Sequence, residues 1–115
     1  MASDEHTELI VKAILWLSSK GYVNITKEFR IPEAIGNNRK NGSYVVDVIG
    51  FTTLGEDAKT IAVECGGTQT SKLEDLLERG VFSAVYILPY GANEPYKYKK
   101  GMNICRYCGH SIGEL

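Results

Sequence analysis

Several things are scarce in this sequence. Its 115 residues include three cysteines, three prolines and one tryptophan. Three cysteines do not make a disulfide framework in a chain of this length, so a reducing, cytoplasmic setting is expected. Long apolar runs are missing: the longest, within residues 9–17, is broken by Lys12, and no transmembrane helix is expected. The opening MASDEHTE is acidic and lacks the basic start and apolar centre of a secretory signal. Neither sign of charge dominates. Thirteen Lys and Arg stand against fourteen Asp and Glu, a net charge of −1, which excludes a globally basic nucleic-acid binder but not a local basic patch. There is no internal repeat and no low-complexity tract.

What is present is ordinary for a globular chain, 43% hydrophobic and 23% charged, and the length suits one core. Ile10, Ala13, Ile14 and Leu17 recur at helical spacing and predict a helix over residues 3–20, with Ser3 as N-cap, Asp4 and Glu5 at the positive end of the helix dipole, and Gly21 as the stop. A strand over residues 22–29 follows, with Val23, Ile25 and Phe29 on one face and Asn24, Thr26 and Glu28 on the other. Residues 31–43 read as a polar loop. Strands over residues 43–53 and 59–65 form a hairpin about a turn centred on Gly55-Glu56. Ser71 and Glu74 make a capping box for a second helix that ends at Gly80, and the apolar run over 81–88 reads as a buried parallel strand joined by one crossover. The expected fold is α/β, an α-β-β-β-α-β core with a mixed sheet flanked by helices. Residues 1–90 make the core domain and 91–115 a basic, aromatic tail.

Two acids sit among buried positions: Asp47 within VVDVI and Glu64 within IAVEC. A buried carboxylate is costly unless it is paired, hydrogen-bonded or on a metal. A turn centred between Gly55 and Glu56 sets Asp47 directly across from Glu64, with Cβ atoms roughly 5 Å apart. Two carboxylates at that distance repel by about 3 kcal/mol at an effective dielectric of ~20. A divalent cation such as Mg²⁺ (or Mn²⁺), which takes one or two carboxylates, removes the conflict. A basic partner for each acid, or a register that turns one of them to water, would remove it too.

An acid in the second strand, a hairpin, an acid in the third strand, then a helix and a parallel strand: this arrangement resembles the PD-(D/E)XK nuclease superfamily, of restriction-endonuclease-like fold, over residues 3–88. The resemblance implies a metal-dependent nuclease hydrolysing phosphodiester bonds in DNA. It places Mg²⁺ on Asp47, Glu64 and the backbone carbonyl of Cys65, and matches Glu28 to an additional acid of some branches. The family's lysine, two residues after the second acid, is replaced here by Gly66. Some branches carry that group in the next helix, which makes Gln69 and Lys72 the candidates. Glu5 and Glu8 are matches for an acid that some relatives place in the first helix, whereas His6 reads as a helix-end residue. Substrate backbone would lie on Lys27, Arg30, Arg39 and Lys40, and on the tail residues Lys97, Lys99, Lys100 and Arg106. A homodimer would let so short a domain reach both strands of a duplex.

The tail segment YKYKKGMNICRYC interleaves basic and aromatic residues, which suits a nucleic-acid strand as well as packing on the sheet. Cys105-Arg106-Tyr107-Cys108-Gly109 is a C-x-x-C-G knuckle, a turn that can aim two thiolates at zinc, with His110 as a candidate third ligand. A disulfide, free thiols or a redox pair are the rival readings. Two other functions compete with the nuclease: a catalytically inactive nucleic-acid-binding or assembly module on the same fold, which Gly66 favours, and an unrelated α/β domain with a zinc-dependent dimerisation element.

Overall fold

Helix α1 (Asp4–Ser19) forms where the apolar residues recur every three to four positions, and it buries Leu9, Ile10, Ala13 and Leu17. Gly21, at φ 91°, ends it as Tyr22 N–H reaches back to the Leu17 carbonyl (3.0 Å). The computed structural model describes residues 4–31, 44–52, 59–80 and 82–112. The expected N-cap Ser3 and turn Gly55-Glu56 lie outside the described residues, as do Arg39 and Lys40.

The other elements are β1 (Val23–Ile31), β2 (Tyr44–Phe51), β3 (Thr60–Cys65), α2 (Thr70–Glu78), β4 (Ala84–Leu88) and β5 (Tyr96–Lys97). They build one mixed sheet in the order β1-β2-β3-β4-β5, antiparallel except for the parallel β3–β4 pair. The β2–β3 ladder runs from Phe51↔Thr60 to Val48↔Val63, which is the register the sequence predicts, and Thr52 N–H continues it to the Lys59 carbonyl.

Side chains alternate between two cores, as the pleat requires. Ile61, Val63 and Cys65 of β3 pack with Leu9, Ile10, Ala13 and Leu17 of α1. Ala62 of β3, with Val85 and Ile87 of β4, packs under Leu73 and Leu76 of α2. No helix among the described residues is long and apolar enough to cross a membrane.

Three local expectations change. In β1 the alternation fails. The register shifts between Val23 and Thr26, Asn24 and Glu28 have left-handed backbones (φ 54° and 56°), and Val23 and Phe29 are exposed while Ile31 is buried. This strand has a neighbour on one side only, which leaves its backbone free to kink. In α2 the N-cap is Gln69, without a side-chain cap bond; Ser71 is already inside the helix and cannot close a capping box. The segment after residue 90 contributes β5, and Tyr98 and Ile104 enter the core under α2.

The knuckle hairpin docks onto the end of β3 through contacts that exclude a side chain. A Cβ on Gly109 would lie 2.3 Å from the Gly66 carbonyl oxygen, and one on Gly67 would lie 2.1 Å from that of Arg106. Gly109 and Gly21 share a left-handed backbone (φ 88° and 91°), but nothing lies within 4 Å of a Cβ at Gly21. Both alanine variants therefore carry the left-handed penalty of about 1–2 kcal/mol, and only Gly109→Ala adds a clash of about 1–3 kcal/mol. Thermal unfolding should show Gly109→Ala losing several degrees more than Gly21→Ala. Equal losses would show that the knuckle does not pack against Gly66.

Candidate active site

One residue beyond Val48↔Val63, the backbone ladder gives way to side chains. Asp47 N–H donates to Glu64 Oε2 (3.3 Å), and Cys65 N–H donates to Asp47 Oδ2 (2.8 Å). Each carboxylate thus accepts an amide of the opposite strand. The register places Asp47 and Glu64 on the face that α2 covers, along with Ile49 and Ala62. From the first turn of α2, Lys72 Nζ donates to Glu64 Oε1 (2.9 Å) and to the Val45 carbonyl (2.8 Å). From α1, His6 Nε2 lies 3.5 Å from Asp47 Oδ2. The Glu64 side chain is 4% exposed and Lys72 20%, whereas Asp47 and His6 are 18% and 22% exposed, so the cluster opens to solvent past the latter three.

The electrostatics follow from that placement. Burial, and then repulsion from Asp47, push the Glu64 carboxyl up to about 7, and Lys72 only partly opposes them. Two acids share one close ammonium group, so at neutral pH the pocket is short of positive charge. Burial also pushes the Cys65 thiol up, with Asp47 next in importance, so Cys65 is a neutral thiol rather than a nucleophile.

Gly66 has a local cause. Its backbone is left-handed (φ 79°), and a Cβ there would meet the Tyr90 ring at 2.6 Å. Any side chain there would be strained and would have to displace the Tyr90 ring; the ammonium group near Glu64 is that of Lys72, from α2. Gln69 does not join the carboxylates. It lies in a neighbouring cleft of about 530 Å³, with Thr68, Ser71, Cys105 and Arg106 also on its walls. Cys65 touches Asp47 through its amide. The register that pairs Lys27 with Val48 and Phe29 with Val46 sets Glu28 across from Asp47, but Glu28 is exposed on its left-handed backbone and makes no described bond to either acid.

The basic residues separate. Lys27 and Arg30 are exposed on β1, and Lys97 is exposed on β5, at the other edge of the sheet. At about 4.8 Å per strand these edges are some 19 Å apart. Lys99 and Lys100 are exposed after β5, with Lys100 near Glu78 (3.8 Å), and Arg106 is exposed at the knuckle. His110 Nε2 lies 2.8 Å from the Tyr90 carbonyl. His6, which the sequence presents as a helix-end residue, stands instead beside Asp47. It shares the helical stripe of Ile10, Ala13 and Leu17, and a polar residue on that buried stripe was the available signal.

The donor set fits a hard divalent cation only in part. The two carboxylates converge with one close ammonium group between them, and paired carboxylates are what Mg²⁺ takes. Lys72, however, already occupies Glu64 Oε1, and no group of three His, Cys, Asp or Glu side chains able to hold a metal occurs among the described residues. Asp47 and Glu64 are the residues that would hold the ion, with water completing its coordination.

No protein-family model matches the chain, and no curated protein sequence does. The chain is similar to a solved structure of a protein of unknown function from Silicibacter pomeroyi, at 15% identity and a TM-score of 0.44, covering 100% of this chain and 78% of that one. A likeness of that size carries no functional argument.

An acid whose folded form keeps its proton up to about pH 7 takes up protons relative to the unfolded chain, so stability should fall as pH rises from about 4.5 to 7. Denaturant unfolding should show a loss of up to about 3 kcal/mol across that window, and Glu64→Gln should flatten it. Lys72→Met, which strands the buried acids, should cost about 3 kcal/mol at pH 8. A Glu64→Gln profile identical to wild type would show that Glu64 is not the titrating group.

Proposed function

We propose that this chain is a metal-dependent nuclease that hydrolyses phosphodiester bonds in DNA, on a restriction-endonuclease-like core. The observation that carries the reading is the meeting of Asp47, Glu64 and Lys72 in one partly open pocket that is short of positive charge. The element order α-β-β-β-α-β, with β3 and β4 parallel and the acids on β2 and β3, agrees with that core. Mg²⁺ or Mn²⁺, when bound, would polarise a phosphoryl oxygen and lower the pKa of a bound water.

The residues of the chain have separate tasks. Asp47 and Glu64 hold the cation, each oriented by an amide of the neighbouring strand. Lys72 releases part of its contact with Glu64 and stabilises the charge that develops on the phosphoryl group. His6 sits at the exposed side of Asp47 and fixes the orientation of its carboxylate. Arg30, which pairs with Val45 two residues before Asp47, and Lys27 supply phosphate contacts beside the pocket.

A second reading, a nucleic-acid-binding module without catalysis, is favoured by one observation: Lys72 already stands on Glu64 as a resident cation.

Calorimetry with Mg²⁺ and Mn²⁺, together with cleavage assays on plasmid, flap and single-stranded DNA, tests both. Wild type should bind the ion and cut. Asp47→Asn should lose both activities, with cleavage down by at least about 100-fold, the scale expected when a group holding charge in the transition state is removed. Lys72→Met should keep DNA binding and lose cleavage. Metal-independent DNA binding without cleavage by wild type would establish the second reading, and absence of metal binding would overturn the first.

A further inference from the structure

The C-x-x-C knuckle takes no part in the carboxylate site, and its geometry is specific. Ile104 and Ser111 bridge, Cys105 N–H donates to the His110 carbonyl (2.9 Å), and Gly109 N–H returns to the Cys105 carbonyl (2.9 Å). This tight hairpin carries both cysteines, each half-buried and neither in a disulfide. Two cysteine sulfurs presented by one turn are what a tetrahedral thiophilic ion takes. Redox C-x-x-C pairs open a helix after a strand; here the residues between the cysteines form a turn that returns at Gly109.

Protein contacts hold the turn in place. It is wedged against the end of β3 where Gly66 and Gly67 admit it, and Tyr90 N–H donates to the Cys108 carbonyl (3.0 Å). A loop held in place in this way loses little entropy when an ion arrives.

Among the described residues, the knuckle brings together two of the four ligands of a structural zinc site. The chain's other cysteine, Cys65, is buried in the core against α1. His6 lies at Asp47, and His110 turns Nε2 to Tyr90. No third such ligand joins the cysteine pair among the described residues.

We infer that Cys105 and Cys108 bind zinc together with the same pair from a second copy of this chain, forming one four-thiolate site at a two-fold axis. An isologous contact supplies the missing ligands with the same geometry that offers the first two. The surface beside the thiols suits such a contact. Tyr107 is 79% exposed and Ile112 54% exposed, two large apolar side chains on the surface beside this turn. Arg106, whose guanidinium lies 5.8 Å from the Tyr107 ring, brings positive charge to offset the net negative charge of zinc with four thiolates.

The test uses wild-type chain kept reduced, with zinc content by elemental analysis and mass in solution by light scattering. The expected result is one zinc per two chains and a mass twice 12.7 kDa, returning to 12.7 kDa with a chelator and doubling again on zinc addition. Cobalt in place of zinc should give the spectrum of a tetrahedral all-thiolate site. Cys105→Ser and Cys108→Ser should stay monomeric at any zinc level, whereas Cys65→Ala should dimerise with zinc as wild type does. Chelation of wild type answers the question even where a variant fails to fold. One zinc per monomer, no retained zinc, or a dimer that survives chelation would each overturn the inference. None of these readouts involves DNA, so this result stands or falls separately from the nuclease reading.

Discussion

Two carboxylates take the place of a backbone ladder at one end of the β2–β3 pair. Where β2 and β3 would continue their pairing, Asp47 and Glu64 each accept the other strand's amide. The hydrogen bonds that would otherwise be lost are kept, but two negative charges enter a buried position. Glu64 bears most of the cost because it is the deeper of the two. Lys72 from α2 and His6 from α1 then converge on the same few ångströms from opposite helices. The site is a local failure of sheet pairing that both helical layers are arranged to support.

The second constraint is steric. Gly66 and Gly67 follow Cys65 immediately, and the chain needs them because Tyr90 and the knuckle occupy the space their side chains would fill. The same crowding favours glycine two residues after Glu64, and the ammonium group near that acid comes from α2. It also ties the C-terminal hairpin to the strand that carries Glu64, so the thiol pair and the carboxylate pair belong to one packed unit. The segment beyond residue 90 closes the core through Tyr98 and Ile104 and carries the cysteine turn on its outer side.

Much of the architecture was legible because it rests on short-range rules. The helical stripe of α1, the apolar runs of β3 and β4, the Gly21 stop and the hairpin register are set by residues close in sequence, and the register alone brought Asp47 opposite Glu64. The same rules failed in β1, where an edge position let left-handed residues break the alternation and left Glu28 exposed opposite Asp47. They failed again at α2, where Gln69 is the cap although Ser71 and Glu74 have the spacing of a capping box.

The sequence by itself determined the α/β order, the mixed sheet and the meeting of two acids on neighbouring strands, since periodicity and turn position fix which face each strand residue shows. Tertiary structure alone decided what stands against those acids. Lys72 reaches Glu64 because α2 crosses the face they share, and His6 reaches Asp47 because α1 covers the other. It also decided that the basic residues divide between two sheet edges instead of forming one patch. Contacts between residues far apart in the chain depend on how whole layers pack, and no local pattern encodes that distance.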